Sequence, residues 1–103
     1  MKEFFQGDIV KIEGLGKRLF LITSKNAFIH ETSVFHVCPL LEDYPDGPLH
    51  IKITGNKGTK GTAICEQIKL IDPATRSTRR IDRIPYSDIM EVSDVLQGVF
   101  EYD

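Results

Sequence analysis

Two charged residues stand where a folded chain rarely places charge. Arg18 follows Gly14 and Gly16 and opens the most apolar run of the chain, Leu19-Phe20-Leu21-Ile22. An arginine entering a core strand either snorkels at its boundary or holds its planar fork toward a phosphate, which it matches in geometry and charge. Glu66 lies between Cys65 and Gln67 in a strand-like run and, if that run is extended, shares a face with Ile64 and Ile68. A carboxylate there either faces solvent or, beside apolar neighbours, holds its proton longer, which suits acid-base work.

Charge is unevenly placed around these residues. From Lys69 to Arg83 there are five basic residues (Lys69, Arg76, Arg79, Arg80, Arg83) against two acidic ones, Asp72 and Asp82. After Arg83 the charged residues are all acidic: Asp88, Glu91, Asp94, Glu101 and Asp103. Such a strip reads either as a solvated surface or as a phosphate contact. A net charge of −2 over 103 residues argues against nucleic-acid binding by bulk charge alone.

Other motifs carry less chemistry. His30, His36 and His50 can titrate near neutral pH, but no serine or cysteine is placed by sequence as an evident partner. Each reads as a surface or strand-face residue. Gly55-Asn-Lys-Gly-Thr-Lys-Gly-Thr62 invites a phosphate-loop reading but lacks the required spacing and does not open a helix. It reads as a hairpin tip in which Lys57 or Lys60 could touch a phosphate. Gly14 and Gly16 have Leu19 where a dinucleotide fingerprint needs its third glycine. Cys38 and Cys65 are far apart in sequence, without a Cys-x-x-Cys pair or a histidine at metal-ligand spacing. They read as small buried hydrophobes, and neither a metal nor another cofactor is expected.

The elements that position these residues follow from hydrophobic periodicity. Strands are expected over Gly7–Glu13, Arg18–Thr23, Val34–Leu40, His50–Thr54 and Thr62–Ile71, with a short one over Arg79–Ile84. Pro39 marks the end of a strand or an edge. A turn of helix fits Ser24–Thr32, and Leu41–Pro48 is a loop. Ile89, Val92, Leu96 and Val99 fall at helical steps, with Val95 and Phe100 widening the stripe. Pro85 suits the start of that helix, and Ser87 and Asp88 bring oxygen acceptors and negative charge to its first turn. Many short strands and one terminal helix predict a mostly β (α+β) protein, a compact barrel or half-barrel packed by the helix.

At this length one domain spanning 1–103 is expected. Hydrophobic content of 41% and charged content of 27% are those of an ordinary globular chain. No leader pattern opens the chain and no run is long enough to cross a bilayer, so a cytoplasmic protein without membrane contact is expected.

The stretch Ala63–Val92 holds Glu66-Gln67-Ile68, Ile71-Asp72, Arg76, Arg79-Arg80-Ile81 and Arg83-Ile84-Pro85 in that order. It resembles the C-terminal half of the PemK/MazF/Kid toxins. Gly16-Lys17-Arg18-Leu19 is similar to the Gly-x-Arg-Pro step that returns the family's first hairpin, with Leu19 in place of the proline. The resemblance extends over roughly Gly7 to Phe100. It implies a small SH3-like β-barrel with a C-terminal α-helix, the CcdB/MazF/PemK fold. It also implies a toxin of a type II toxin-antitoxin system that cuts single-stranded RNA sequence-specifically and without metal. In such cleavage the ribose 2′-hydroxyl attacks the adjacent phosphate and leaves a cyclic phosphate and a 5′-hydroxyl.

On this resemblance Glu66 is the candidate base, and Arg18 and Arg76 are the candidate charge stabilisers. Lys17, Gln67, Arg79 and Arg80 are candidate RNA contacts. A homodimer and an antitoxin are the implied partners, the antitoxin folding an acidic or amphipathic tail across the toxin. The chain also departs from the family. Leu41 stands where Pro-x-Thr commonly supplies a hydroxyl, Ile64 where some members have arginine, and Glu13–Lys17 is a short loop. These departures keep a second reading open: a catalytically inactive module of the same fold that binds a protein or a nucleic acid.

Overall fold

The computed structural model describes residues 3–101. Seven strands and two helices follow one another: β1 (Asp8–Ile12), β2 (Leu19–Ile22), α1 (Asn26–Thr32), β3 (Phe35–Leu41), β4 (His50–Thr54), β5 (Lys60–Ile64), β6 (Lys69–Ile71), β7 (Thr78–Arg83) and α2 (Tyr86–Phe100). The strands form one antiparallel sheet in the order β4-β5-β3-β2-β1-β7, with β6 paired to β3 off that path.

Alternation along the strands builds two cores, one on each face of the sheet. Ile9, Leu21, Cys38, Leu40, Ile51, Ile53, Ala63 and Cys65 join Ile84 and Val92 on the face covered by α2. Val10, Phe20, Ile22, Phe35 and Val37 lie on the other, where Phe4, Leu15 and Ile29 of α1 pack over them. The tip of the β4–β5 hairpin meets the end of β7, where the Asn56 amide donates to the Arg83 carbonyl at 2.8 Å. This contact draws the curved sheet toward a closed barrel.

Two expectations about strands change. The run Thr62–Ile71 is not one strand, because a turn over 65–68 separates β5 from β6. Leu40 pairs with Ala63 before the turn and Val37 with Lys69 after it, so three steps along β3 face six along its partner. The surplus residues are extruded as the turn, closed by the Gln67 amide donating to the Ile64 carbonyl at 3.1 Å. Pro39, expected at a strand end or edge, lies buried inside β3 opposite Phe20. It sits where β3 exchanges β6 for β5, a point at which a missing amide breaks no ladder.

The helix α2 is where its periodicity predicts, with Val92 buried and Ile89, Val95 and Leu96 packed on the first core. Ser87 and Asp88 do not cap it. Pro85 occupies the cap position and no side-chain cap bond forms. Asp88 still brings negative charge to the first turn. Phe100 stays exposed, as do Tyr86 and Met90. Among the described residues no helix is long and apolar enough to cross a membrane.

Candidate functional site

Strand register places Arg18 and His50 on one sheet face. Leu19 pairs with Leu40, so Arg18, one residue earlier, lies beside Leu41 and shares its face by alternation. Leu41 pairs with Thr62, and Thr62 with Lys52. Directly opposed residues of antiparallel strands point to the same side. Arg18, Leu41, Thr62 and Lys52 therefore form one row across β2, β3, β5 and β4. The next row on this face carries Phe20, Pro39, Ile64 and His50, by the same register.

Arg18 is exposed on this face. Its turn requires glycines, because Gly14 and Gly16 take φ of 87° and 76°. Among the described residues no carboxylate pairs with the Arg18 guanidinium. The other arginines of the expected strip differ. Asp8 is fully buried and takes Arg83 Nε on Oδ1 at 2.8 Å and Arg80 Nη1 on Oδ2 at 3.4 Å. The Phe5 amide adds a third donor to Asp8 at 2.8 Å, and the Arg83 guanidinium lies over the Phe5 ring. Arg80 is thus engaged in holding a buried carboxylate. Arg79, opposite Lys11, and Lys17 are exposed.

Arg76 leans on the first hairpin instead of joining Glu66. Its Nη1 reaches the Glu13 carbonyl at 3.5 Å, and a Cβ at Gly14 would lie 2.9 Å from that nitrogen. Arg76 therefore braces the loop that leads to Arg18.

Glu66 occupies the turn after β5, not the middle of a strand. Its Oε2 meets His50 Nε2 at 3.0 Å, with the side chains 42% and 16% exposed respectively. His50 Nδ1 lies 3.1 Å from the Pro45 carbonyl, and the Tyr44 ring packs edge-on at 4.9 Å. The bond to Glu66 raises the His50 pKa, and the reciprocal bond from His50 lowers that of Glu66. Glu66 is therefore not the proton-holding carboxylate that apolar neighbours suggest; it is held ionised. Gln67 is exposed in the same turn. Glu66 is tied to β4, and three strand spacings, about 14 Å, separate β4 from β2. Arg18 and Glu66 thus flank the face from its two ends.

Two residues of this face gain partners that the sequence reading, which took His50 as a surface or strand-face residue, did not identify. His50 has its partner 16 positions away in the chain, and nothing local marks it. Thr62 is directly opposite Leu41, so a hydroxyl-bearing side chain, 5% exposed, adjoins the position where Leu41 lacks one.

The remaining motifs are structural. The glycine-rich β4–β5 tip does cradle an anion, but the anion is Asp82. Its carboxylate accepts from the amides of Lys57 at 3.0 Å, Thr59 at 3.2 Å and Arg83 at 2.7 Å. Burial alone would push the Asp82 carboxyl up; these bonds outweigh it and hold the pKa at about 2. Cys38 and Cys65, distant in sequence, meet in the core. The neighbouring Cys65 thiol, together with burial, pushes Cys38 well above the usual thiol range. Among the described residues no group of three or more metal-ligating side chains gathers.

Comparison with solved structures supports the fold. A chain of the MazE–MazF complex from Deinococcus radiodurans is 19% identical, with a TM-score of 0.83 over 96% of this chain and 97% of that one. MazF from the same organism is 17% identical, with a TM-score of 0.80 over 96% and 97%. An endoribonuclease in complex with its cognate antitoxin, from a mycobacterial species, is 13% identical, with a TM-score of 0.80 over 98% and 100%. No curated protein matches the sequence. Residues 6–100 match the family described as PemK-like, MazF-like toxin of type II toxin-antitoxin system. With nearly the whole length matched, and with this sheet order and C-terminal helix, the chain belongs to the PemK-like, MazF-like toxins of type II toxin-antitoxin systems.

Proposed function

We propose that this toxin is a metal-independent, sequence-specific endonuclease of single-stranded RNA. The observation that carries the reading is Arg18, an exposed guanidinium on an otherwise ordered sheet face, with no carboxylate partner among the described residues. Arg80 and Arg83 are occupied by Asp8, whereas Arg18 is available to a phosphate.

RNA would lie from Arg18 past Leu41 and Lys52 to His50, the residues of the two rows that are not buried. Arg18 would stabilise the charge that builds on the phosphorus oxygens. Glu66, already ionised, would take the proton of the 2′-hydroxyl as it attacks, and the 5′-oxygen, released as its bond to phosphorus breaks, would take a proton from water. Glu66 being held by His50, the Arg18 side chain would reach inward over β3 toward a phosphodiester lying beside Glu66. The Thr62 hydroxyl would stand in for the one Leu41 lacks. Arg76 would position the first hairpin, and Lys17, Gln67 and Arg79 would contact flanking nucleotides.

The solved relatives include toxins held by antitoxins. We extend that partnership to this chain, together with a homodimer that would cover some of the exposed Leu70, Tyr86, Met90 and Phe100. The test is to incubate purified protein with a long single-stranded RNA in EDTA. Discrete fragments ending in a cyclic phosphate are expected. Intact RNA in the presence of folded protein would overturn this reading and favour a binding module of the same fold.

A further inference from the structure

We propose, on the endonuclease reading above, that His50 is a positioning residue that fixes Glu66 on the RNA-facing side and makes cleavage depend on the imidazolium form. The ring is held from four directions. Nε2 meets Glu66 Oε2 at 3.0 Å and Nδ1 meets the Pro45 carbonyl at 3.1 Å. The Tyr44 ring packs against it at 87°. Gly47 gives it room, since a Cβ there would lie 2.8 Å from Nδ1. The His50 amide also donates to the Gly47 carbonyl at 3.1 Å. Polar contacts to both ring nitrogens thus hold this first residue of β4.

The partners decide the charge. Both ring nitrogens face oxygen acceptors, a carbonyl and a carboxylate. A neutral imidazole has one N–H, so one of the two contacts would set lone pair against lone pair. The imidazolium satisfies both. With no free nitrogen left, His50 cannot itself act as the base. It holds the Glu66 carboxylate and offsets its charge, which would otherwise repel the phosphates of an approaching RNA.

The dependence on pH has a definite sign. The carboxylate partner raises the His50 pKa from 6.5, so the paired form persists to higher pH than a free imidazolium and is lost as pH rises through the raised value. Glu66, shifted down, stays ionised over that range. The other titratable groups nearby are Cys65, beside Glu66 in the turn, Tyr44 through its ring, and Glu91 of α2, which acts on Cys65. Asp46 is taken by Lys52 at 3.3 Å.

The experiment measures kcat and KM for cleavage of an RNA oligonucleotide by the full chain from about pH 5.5 to 9, a range centred on imidazole titration. Wild type should lose kcat along an alkaline limb. His50→Gln keeps an N–H for Glu66 but does not titrate, so it should abolish that limb with KM unchanged. His50→Ala should lower kcat by roughly 10- to 100-fold throughout, as misplacement of a reacting group does. Cys65→Ala should retain the limb. A His50→Gln enzyme with the wild-type profile would overturn the proposal. In parallel, NMR titration of the His50 ring should give a raised pKa that falls in Glu66→Gln; an unchanged value would overturn the pairing itself. Intact RNA with a normal NMR result would instead defeat the endonuclease reading and, with it, the positioning role given to His50.

Discussion

Replacing Asp82 with asparagine should destabilise the fold by about 2 kcal/mol at pH 7, and the loss should vanish in acid. Asp82 is 3% exposed and its carboxylate is the acceptor for three backbone amides of the β4–β5 tip and of Arg83. Its pKa lies at about 2 in the fold against 3.8 ordinarily. That difference, at about 1.4 kcal/mol per pKa unit, corresponds to roughly 2 kcal/mol of preference for the ionised form in the folded state. Asparagine has the same shape but turns an amide donor toward amide donors. Because the folded value is depressed, the contribution is complete above about pH 4 and is lost as pH falls toward 2. Urea denaturation followed by circular dichroism, run on both proteins from pH 7 to about pH 2.5, measures the gap between them. Other carboxylates titrate in both proteins and cancel in the difference. A gap below about 0.5 kcal/mol at pH 7, or one that stays constant through the acid range, would refute the reasoning.

Three further outcomes are expected. Gly55→Ala should destabilise the protein through the same nest, because its Cβ would collide with the Asp82 carboxylate; an unchanged urea midpoint would contradict this. Asp8→Asn should lower stability by about 2 kcal/mol, as for a lost charge-assisted bond network, while Arg80→Ala should do less because Arg83 keeps the shorter contact. Equal losses in the two variants, read by thermal melting, would contradict the assignment. Thr62→Val keeps shape and removes the hydroxyl, so it should reduce RNA cleavage by about tenfold or more with an unchanged melting temperature; full activity would return the hydroxyl role to another residue.

Much of the architecture was readable because it is local. Alternation marks β1 and β4, a continuous apolar run marks β2, which is buried on both faces, and three- and four-residue spacing marks α2, which buries one face of its own sequence. Arg18 was readable for the same reason, as a charge placed next to an apolar run. What escaped depends on partners distant in the chain. The Glu66 turn exists because β5 and β6 take different registers against β3. By sequence Arg80 reads as one member of a basic strip, but Asp8, 72 residues away, holds it. The glycine-rich tip has the composition of an anion site and is one, but its occupant comes from β7. His50 and Thr62 acquire meaning only through strands that pair across the sheet.

The central claim is that Arg18 stabilises charge on an RNA phosphate from this sheet face. Single-turnover cleavage of one RNA substrate by wild type and by Arg18→Ala, with matched circular dichroism spectra, tests it most directly. The account predicts a loss of at least about 100-fold for the variant, the scale of removing one transition-state donor. Cleavage by folded Arg18→Ala at the wild-type rate would contradict it.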